Sequence, residues 1–206
     1  MVSAEEVRLQ CIEAMGDELG NMYCDLNDHL LDIYLIWRQL EQLFGQDEAT
    51  VKLLNQSAPL FFSVVQAQLW DSVILGISRL TDEPVMRSNK NLSIGAVPAL
   101  IGEETLKKSV KELCDKAVAD AEFARKHRHK RIAHNDLKHF REKTAKPLPG
   151  VNRDKIRKSL SSICDVLHAL NGHYRESVML YDDLIFEGGA GRLIGVLKRG
   201  SKHNSA

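Results

Sequence analysis

The sequence predicts an all-α protein, a four-helix bundle with a short extra helix and a Gly-rich C-terminal tail. Three observations point there. Apolar residues recur at three- and four-residue steps along four long segments, the spacing that stripes one side of a helix. No stretch alternates strictly between apolar and polar residues, and no Asn-Gly hairpin signal interrupts the helical pattern, Asn171-Gly172 falling inside the last striped segment. Turn-forming residues separate the striped segments, with Pro84 after the second and Pro147, Pro149 and Gly150 before the last. Four helices that each bury one stripe make a bundle.

Residues 4–44 contain no Pro, and Met22, Leu26, Leu30, Ile33, Trp37, Leu40 and Phe44 form one helical stripe. A long helix is expected there, interrupted near Gly16 and Gly20. Gln46 to Glu48 is a polar loop. A second helix runs from about Pro59 to Leu80, with Leu69, Val73, Gly76, Ile77 and Leu80 inward, and Pro84 ends it. Residues 91–101 read as a loop entering a short helix, capped by Ser93 with Pro98 near its first turn. The third long helix spans Glu103 to about His134, striped by Leu106, Val110, Leu113, Ala117, Ala121 and Ala124. Lys143 to Gly150 connects it to the last, Asn152 to Phe186, striped by Ile156, Leu160, Ile163, Leu167, Leu170, Tyr174 and Val178.

Residues 1–187 are thus expected to form a single helical domain. Residues 188–206 are expected to be a flexible or loosely docked basic tail, in which Arg192 to Leu197 can form a short extra element against the body. The GGAGRLIG run at 188–195 is only superficially a phosphate loop, because neither Lys-Ser nor Lys-Thr follows and no strand precedes it.

The charge balance of 28 basic against 28 acidic residues is a cancellation between regions. Residues 1–102 hold 6 basic and 14 acidic, 103–158 hold 17 and 9, and 159–206 hold 5 and 5. A basic surface can therefore sit on an otherwise acidic body, although pairing between the two halves would produce the same totals. Cys11, Cys24, Cys114 and Cys164 are widely spaced with no C-x-x-C pair, and no apolar leader follows Met1. Free thiols in a reducing cytoplasm are expected. Stretches such as Leu30 to Trp37 or Ser72 to Leu80 fall short of the ~20 residues of a membrane span, so no membrane partner is expected.

Residues 125–139 concentrate the chemistry: four of the eight histidines and six of the 28 Lys and Arg fall in these fifteen positions. Cations near a helix C-terminus complement its dipole, which accounts for a Lys or Arg or two but not for interleaved histidines. His exchanges a proton near neutral pH, and Arg is a planar fork for phosphate oxygens. Together they suit phosphoryl transfer on RNA: one group deprotonates a ribose 2′-hydroxyl, another protonates the leaving 5′-oxygen, and a guanidinium steadies the phosphorus oxygens. That route requires neither metal nor cofactor. A zinc site is the weaker reading, since His127, His129, His134 and His139 lack H-E-x-x-H spacing and a Cys partner, and their neighbours are cations.

The order Arg128, polar His129, then His134 resembles the signature of the HEPN superfamily, an Arg and a polar residue with a His four to six positions after the Arg. The run from Arg128 to Asp136 resembles the corresponding block of the HEPN subfamily named after the abortive-infection U system. So do Leu69-Trp70-Asp71 through Arg79-Leu80-Thr81-Asp82 and Asn91-Leu92-Ser93-Ile94. The resemblance implies a four-helix-bundle fold and a metal-independent endoribonuclease of the toxin–antitoxin or phage-defence type. It implies Arg128, His134 and His129 as catalytic residues, in a homodimer that brings two copies of them to one cleft. Lys130 and Arg131 would attract the RNA backbone. Arg79 and Asp82 would line the same cleft, Asp82 orienting a His or Arg; without the resemblance they read as a surface pair beside a terminating turn. Trp70 could stack on a base but is more simply core, and His127 and His139 read as surface residues.

Spacing adds a condition. Six residues place Arg128 and His134 about 120° apart on a regular helix, so the helix must loosen, Arg128 must curl round, or a partner chain must complete the site. Two other readings stand beside the ribonuclease. One is a non-catalytic HEPN-like module that binds nucleic acid or a protein partner, such as a cognate antitoxin or defence-system protein. The other is a helical structural domain whose basic segment docks on the acidic residues of its dimer mate.

Overall fold

The computed structural model describes residues 3–129, 151–183 and 188–203. They form an all-α protein in two compact units, one built from the described residues of 1–31 and 74–180, the other from those of 32–73 and 181–206.

In the first unit, Ser3 caps helix α1 (Ala4–Met15) through a reciprocal pair, its Oγ accepting from Glu6 N at 3.2 Å and Glu6 Oε2 accepting from Ser3 N at 2.6 Å. The expected interruption falls at Gly16, whose φ of +83° is cheap only for glycine. Helix α2 (Asp17–Phe44) then doubles back, and Arg8 reaches across to Asn21 Oδ1 at 3.2 Å and Asp25 Oδ1 at 2.8 Å. Gly20 lies inside α2 and serves close approach rather than a turn: a Cβ there would stand 2.6 Å from Ile12 Cα.

Two elements are absent from the sequence expectation. Helix α3 (Glu48–Ser57), capped by Asp47, follows the polar loop and leads into α4 (Pro59–Leu80), with Pro at the first helical position. After α4, β1 (Val85–Met86) and β2 (Asn89–Lys90) make a minimal antiparallel hairpin turned by Arg87 at φ +58°. Stretch by stretch no apolar run approaches a membrane span, but the 22 continuous residues of α4 are long and apolar enough to cross a bilayer by length and composition.

Ser93 caps the short helix as expected, a 3-10 helix (Ile94–Leu100), and also donates to Asp82 O at 2.6 Å. The expected continuous helix from Glu103 is divided into α5 (Glu104–Asp120) and α6 (Glu122–His127) at Ala121. The cause lies on α7 (Arg153–Arg175), which packs along α5. Ser159 Oγ donates to Asp120 O at 2.9 Å, taking an acceptor that a continuous helix would use internally. Ser162 Oγ and Lys158 Nζ bind the Asp120 carboxylate at 2.7 Å each. Ala124 N turns instead to Ala121 O at 3.0 Å.

Helix α7 carries the expected stripe, with Ile156, Leu160, Ile163, Leu167 and Leu170 buried, but stops at Arg175 rather than near Phe186. Glu176 adopts the left-handed conformation at φ +48°. Asn171 Nδ2 then ties down the exit by donating to Ser177 O at 3.0 Å and Oγ at 2.8 Å. Val178, expected inward, is exposed for this reason.

In the second unit the Gly-rich segment contains helix α8 (Ala190–His203), well beyond the short element expected at Arg192–Leu197. Ala190 and Ile194 are buried with Leu43, Leu54 and Phe62, and Leu197 packs against them. That stripe at i, i+4 and i+7 outweighs the helix-weakening Gly191, Gly195 and Gly200. Two α2 glutamines start the helix, Gln39 Oε1 accepting from Ala190 N at 2.7 Å and Gln42 Oε1 from Gly191 N at 3.0 Å.

All four cysteines are free and buried. Burial pushes the thiols of Cys114 and Cys24 up to about 12, with a hydrogen bond to Cys11 adding to the effect at Cys24.

Candidate functional site

The break at Ala121 sets up the site, because it gives α6 a direction of its own after α5. On α6 and the residues after it, the chain presents two arginines three positions apart to the C-terminal turn of α4. Arg125 Nη1 donates to Thr81 Oγ1 at 3.2 Å and to Thr81 O at 3.4 Å, while Nη2 donates to Val118 O at 2.7 Å. Arg128 Nη1 forms an ion pair with Asp82 Oδ2, next along the same turn. Thr81 Oγ1 itself donates to Ile77 O at 2.9 Å, and Ser93 holds the Asp82 carbonyl. The turn is therefore gripped from α6, from the 3-10 helix and from within α4.

The Arg128–Asp82 pair is neither buried nor free: the two side chains are 23% and 13% exposed. Cations from a distant segment thus complement the C-terminal end of α4, where carbonyls carry the negative pole of the helix. The same pairing leaves part of the Arg128 fork open to solvent. Asp82 also lines a cavity of about 320 Å3, with Thr81, Pro84, Pro98, Lys111 and Val118 among its walls. Lys111 is held in an i, i+4 pair with Asp115 at 2.6 Å.

Arg128 and His129 lie on a π-type turn, wider than the α-helix before it. His134 itself, with Lys130, Arg131 and His139, lies outside the described residues.

Of the remaining residues singled out by sequence, His129 is exposed and Arg79 is exposed on the last turn of α4, taking no part in these bonds. His127 corrects an expectation: it is buried, at 8% exposure, because it follows buried Phe123 and Ala124 at four and three positions and shares their side of α6. Trp70 packs edge-on against buried Trp37, with ring centroids 6.0 Å apart, in the manner of a core residue.

Arg125 is the residue that sequence reasoning missed. Within a run of cations nothing in the sequence marks it, and only its bonds to Thr81 and Val118 show that it holds the wall of the cavity and the neighbour of Asp82. Asp120 positions the whole α6 segment. Although burial works to raise its pKa, hydrogen bonds from Lys158 and Ser162, with the fields of Lys158 and Lys116, hold the carboxyl below its ordinary value. Among the described residues no group of three or more His, Cys, Asp and Glu side chains is placed to hold a metal ion.

No curated protein and no solved structure matches the chain. The HEPN family model described as AbiU2 matches residues 16–187, a span that contains the Asp82 turn, the whole basic segment and the α5 to α7 packing that positions them. On that match the chain belongs to the AbiU2 family of HEPN proteins.

Proposed function

We propose that the protein is a metal-independent endoribonuclease of the toxin or phage-defence type, working in the cytoplasm as a homodimer. One observation carries the reading: Arg128, the first residue of the Arg-His run that extends to His134, pairs a partly exposed side chain with Asp82, which itself lines a cavity. A cation so placed can receive a phosphate oxygen without leaving its support.

In this reading the ribose 2′-oxygen attacks the adjacent phosphorus, so that the O2′–P bond forms and the P–O5′ bond breaks. The 2′-hydroxyl proton passes to a histidine, and a second proton reaches the departing 5′-oxygen, leaving 2′,3′-cyclic phosphate and 5′-hydroxyl ends. His134 from each protomer supplies the two proton-transfer groups. Arg128 steadies the charge on the phosphorus oxygens, His129 is the polar member beside it, and Asp82 orients Arg128. Lys130, Arg131 and Arg79 attract the backbone, in competition with salt. A cognate antitoxin or defence-system protein would act by covering this cleft.

The test is cleavage of mixed cellular RNA and tRNA by the purified chain. Arg128→Ala and His134→Ala are each expected to lower the rate about 100-fold or more. Intact RNA with the parent protein, or variants that cut as fast as the parent, would remove the ribonuclease reading.

A second reading, a HEPN module that binds without cutting, is favoured by the engagement of Arg128 with a carboxylate. Asp82→Asn separates the two. A nuclease loses orientation of Arg128, so kcat falls, whereas a binding module gains affinity for RNA and releases no cleaved product with either the parent or the variant.

A further inference from the structure

We propose that the outward face of α8 is a second RNA-contacting surface, gripping backbone phosphates through Arg192 and Arg199. This rests on RNA being the ligand of the chain. Residues 188–206 hold Arg192, Lys198, Arg199 and Lys202 and neither Asp nor Glu. Several cations on other helices do meet carboxylates, Lys107 with Glu104 at 3.1 Å, Lys126 with Glu122 at 2.7 Å and Lys116 with Asp165 at 3.1 Å, whereas the α8 segment has no carboxylate of its own to offer. Arg192 and Arg199 are both exposed, and among the described residues no carboxylate pairs with either.

Seven residues apart, the two arginines lie within about 20° of one line along the helix and about 10 Å apart, far enough to hold separate phosphates. They stand opposite the stripe of Ala190, Ile194 and Leu197, which packs with Leu43, Leu54 and Phe62. Because Gln39 and Gln42 pin the start of α8, the arginines are carried on a docked helix, which lowers the ordering cost of binding. Lys198 belongs less to this face. It shares a cavity with Asp47, whose carboxyl is held below its usual value by Thr50 hydrogen bonds first and by the field of Lys198 after them.

The ligand is a polyanion in solution rather than a lipid surface. An interfacial helix binds a bilayer by inserting its apolar side, and that side of α8 is already buried in the core. Leu193 and Val196 are exposed beside the arginines and add apolar contact, but two residues do not make the continuous stripe that an interfacial helix inserts. A phosphodiester backbone needs only spaced cations free of internal partners.

The experiment measures binding of a fluorescent, uncleavable 2′-O-methyl single-stranded RNA to the full chain across a salt series. Arg192→Glu/Arg199→Glu should weaken binding at least tenfold near 0.1 M salt. The dependence of log K on log salt should flatten by about 1.4, or about 0.7 for each lost phosphate contact. Arg192→Gln/Arg199→Gln should show a smaller loss with an unchanged circular dichroism spectrum, which separates charge from misfolding. Equal affinity and slope in parent and variants would overturn the proposal, as would arginine-dependent binding to phosphatidylserine–phosphatidylcholine vesicles with RNA binding unmoved. If the parent binds this RNA through the arginines but leaves natural RNA whole, the ribonuclease reading fails while the α8 surface stands. Cleavage by the parent with no α8 effect on binding gives the reverse.

Discussion

Arg125 and Arg128 divide one task between them. Arg125 has three acceptors, two on Thr81 and one on Val118, and joins the end of α4 to α5. Among the described residues Arg128 pairs with one carboxylate, that of Asp82 on the next residue of the turn, and its side chain stays partly exposed. The first arrangement is structural, and the second carries the group that the proposed cleavage uses. Arg125→Met should therefore cost about 1–3 kcal/mol in urea unfolding, since it strands a part-buried acceptor and removes charge-assisted bonds. Arg128→Met should cost less stability and far more cleavage. Acid stability tests Asp120 separately. Its folded-state pKa lies below the ordinary value, so its contribution is complete above the unfolded pKa of about 3.9 and is lost as pH falls through the lower folded value. Asp120→Asn should flatten the acid limb of the stability curve below about pH 4, leaving the remaining fall to other carboxylates.

The elements were readable wherever the signal is local. Gly16 ends α1, Pro84 follows the end of α4, and Ser93 and Asn152 cap the helices they precede, Asn152 Oδ1 accepting from Lys155 N at 2.9 Å. Elements set by distant partners were not. The break at Ala121 depends on Ser159 and Ser162, 39 and 42 residues beyond Asp120. The end of α7 depends on Asn171 reaching Ser177, with no Gly or Pro to announce it. Helix α8 is hidden by its glycines and revealed only by the groove that receives Ala190 and Ile194. The site divides the same way. Arg128 and Asp82 stand out through their surroundings in the sequence, but their pairing spans 46 residues, and Arg125 is indistinguishable from the cations around it. Gly20 carries the element-scale prediction. Gly20→Ala places a Cβ 2.6 Å from Ile12 Cα, an obstacle of backbone rather than a movable side chain. It should destabilise the protein by about 1–3 kcal/mol and separate α1 from α2, read as a lower urea midpoint and faster amide exchange in α1.

Across the whole molecule, equal numbers of acidic and basic residues conceal a basic middle and a C-terminal segment without carboxylates. Within the basic middle, Arg128 is tied to acidic Asp82 from the first half of the chain, so the opposing regions meet at the candidate site itself. For a ribonuclease this means that substrate phosphate and Asp82 share one guanidinium, and RNA binding should weaken steeply with salt. The most direct test of the proposed ribonuclease is the chemistry of the cut ends of an RNA treated with the purified protein in EDTA. The cut ends should carry 2′,3′-cyclic phosphate and 5′-hydroxyl groups, and should be lost with Arg128→Ala and with His134→Ala. Ends bearing 5′-phosphate and 3′-hydroxyl, cleavage that EDTA abolishes, or unchanged cutting by either variant would contradict it.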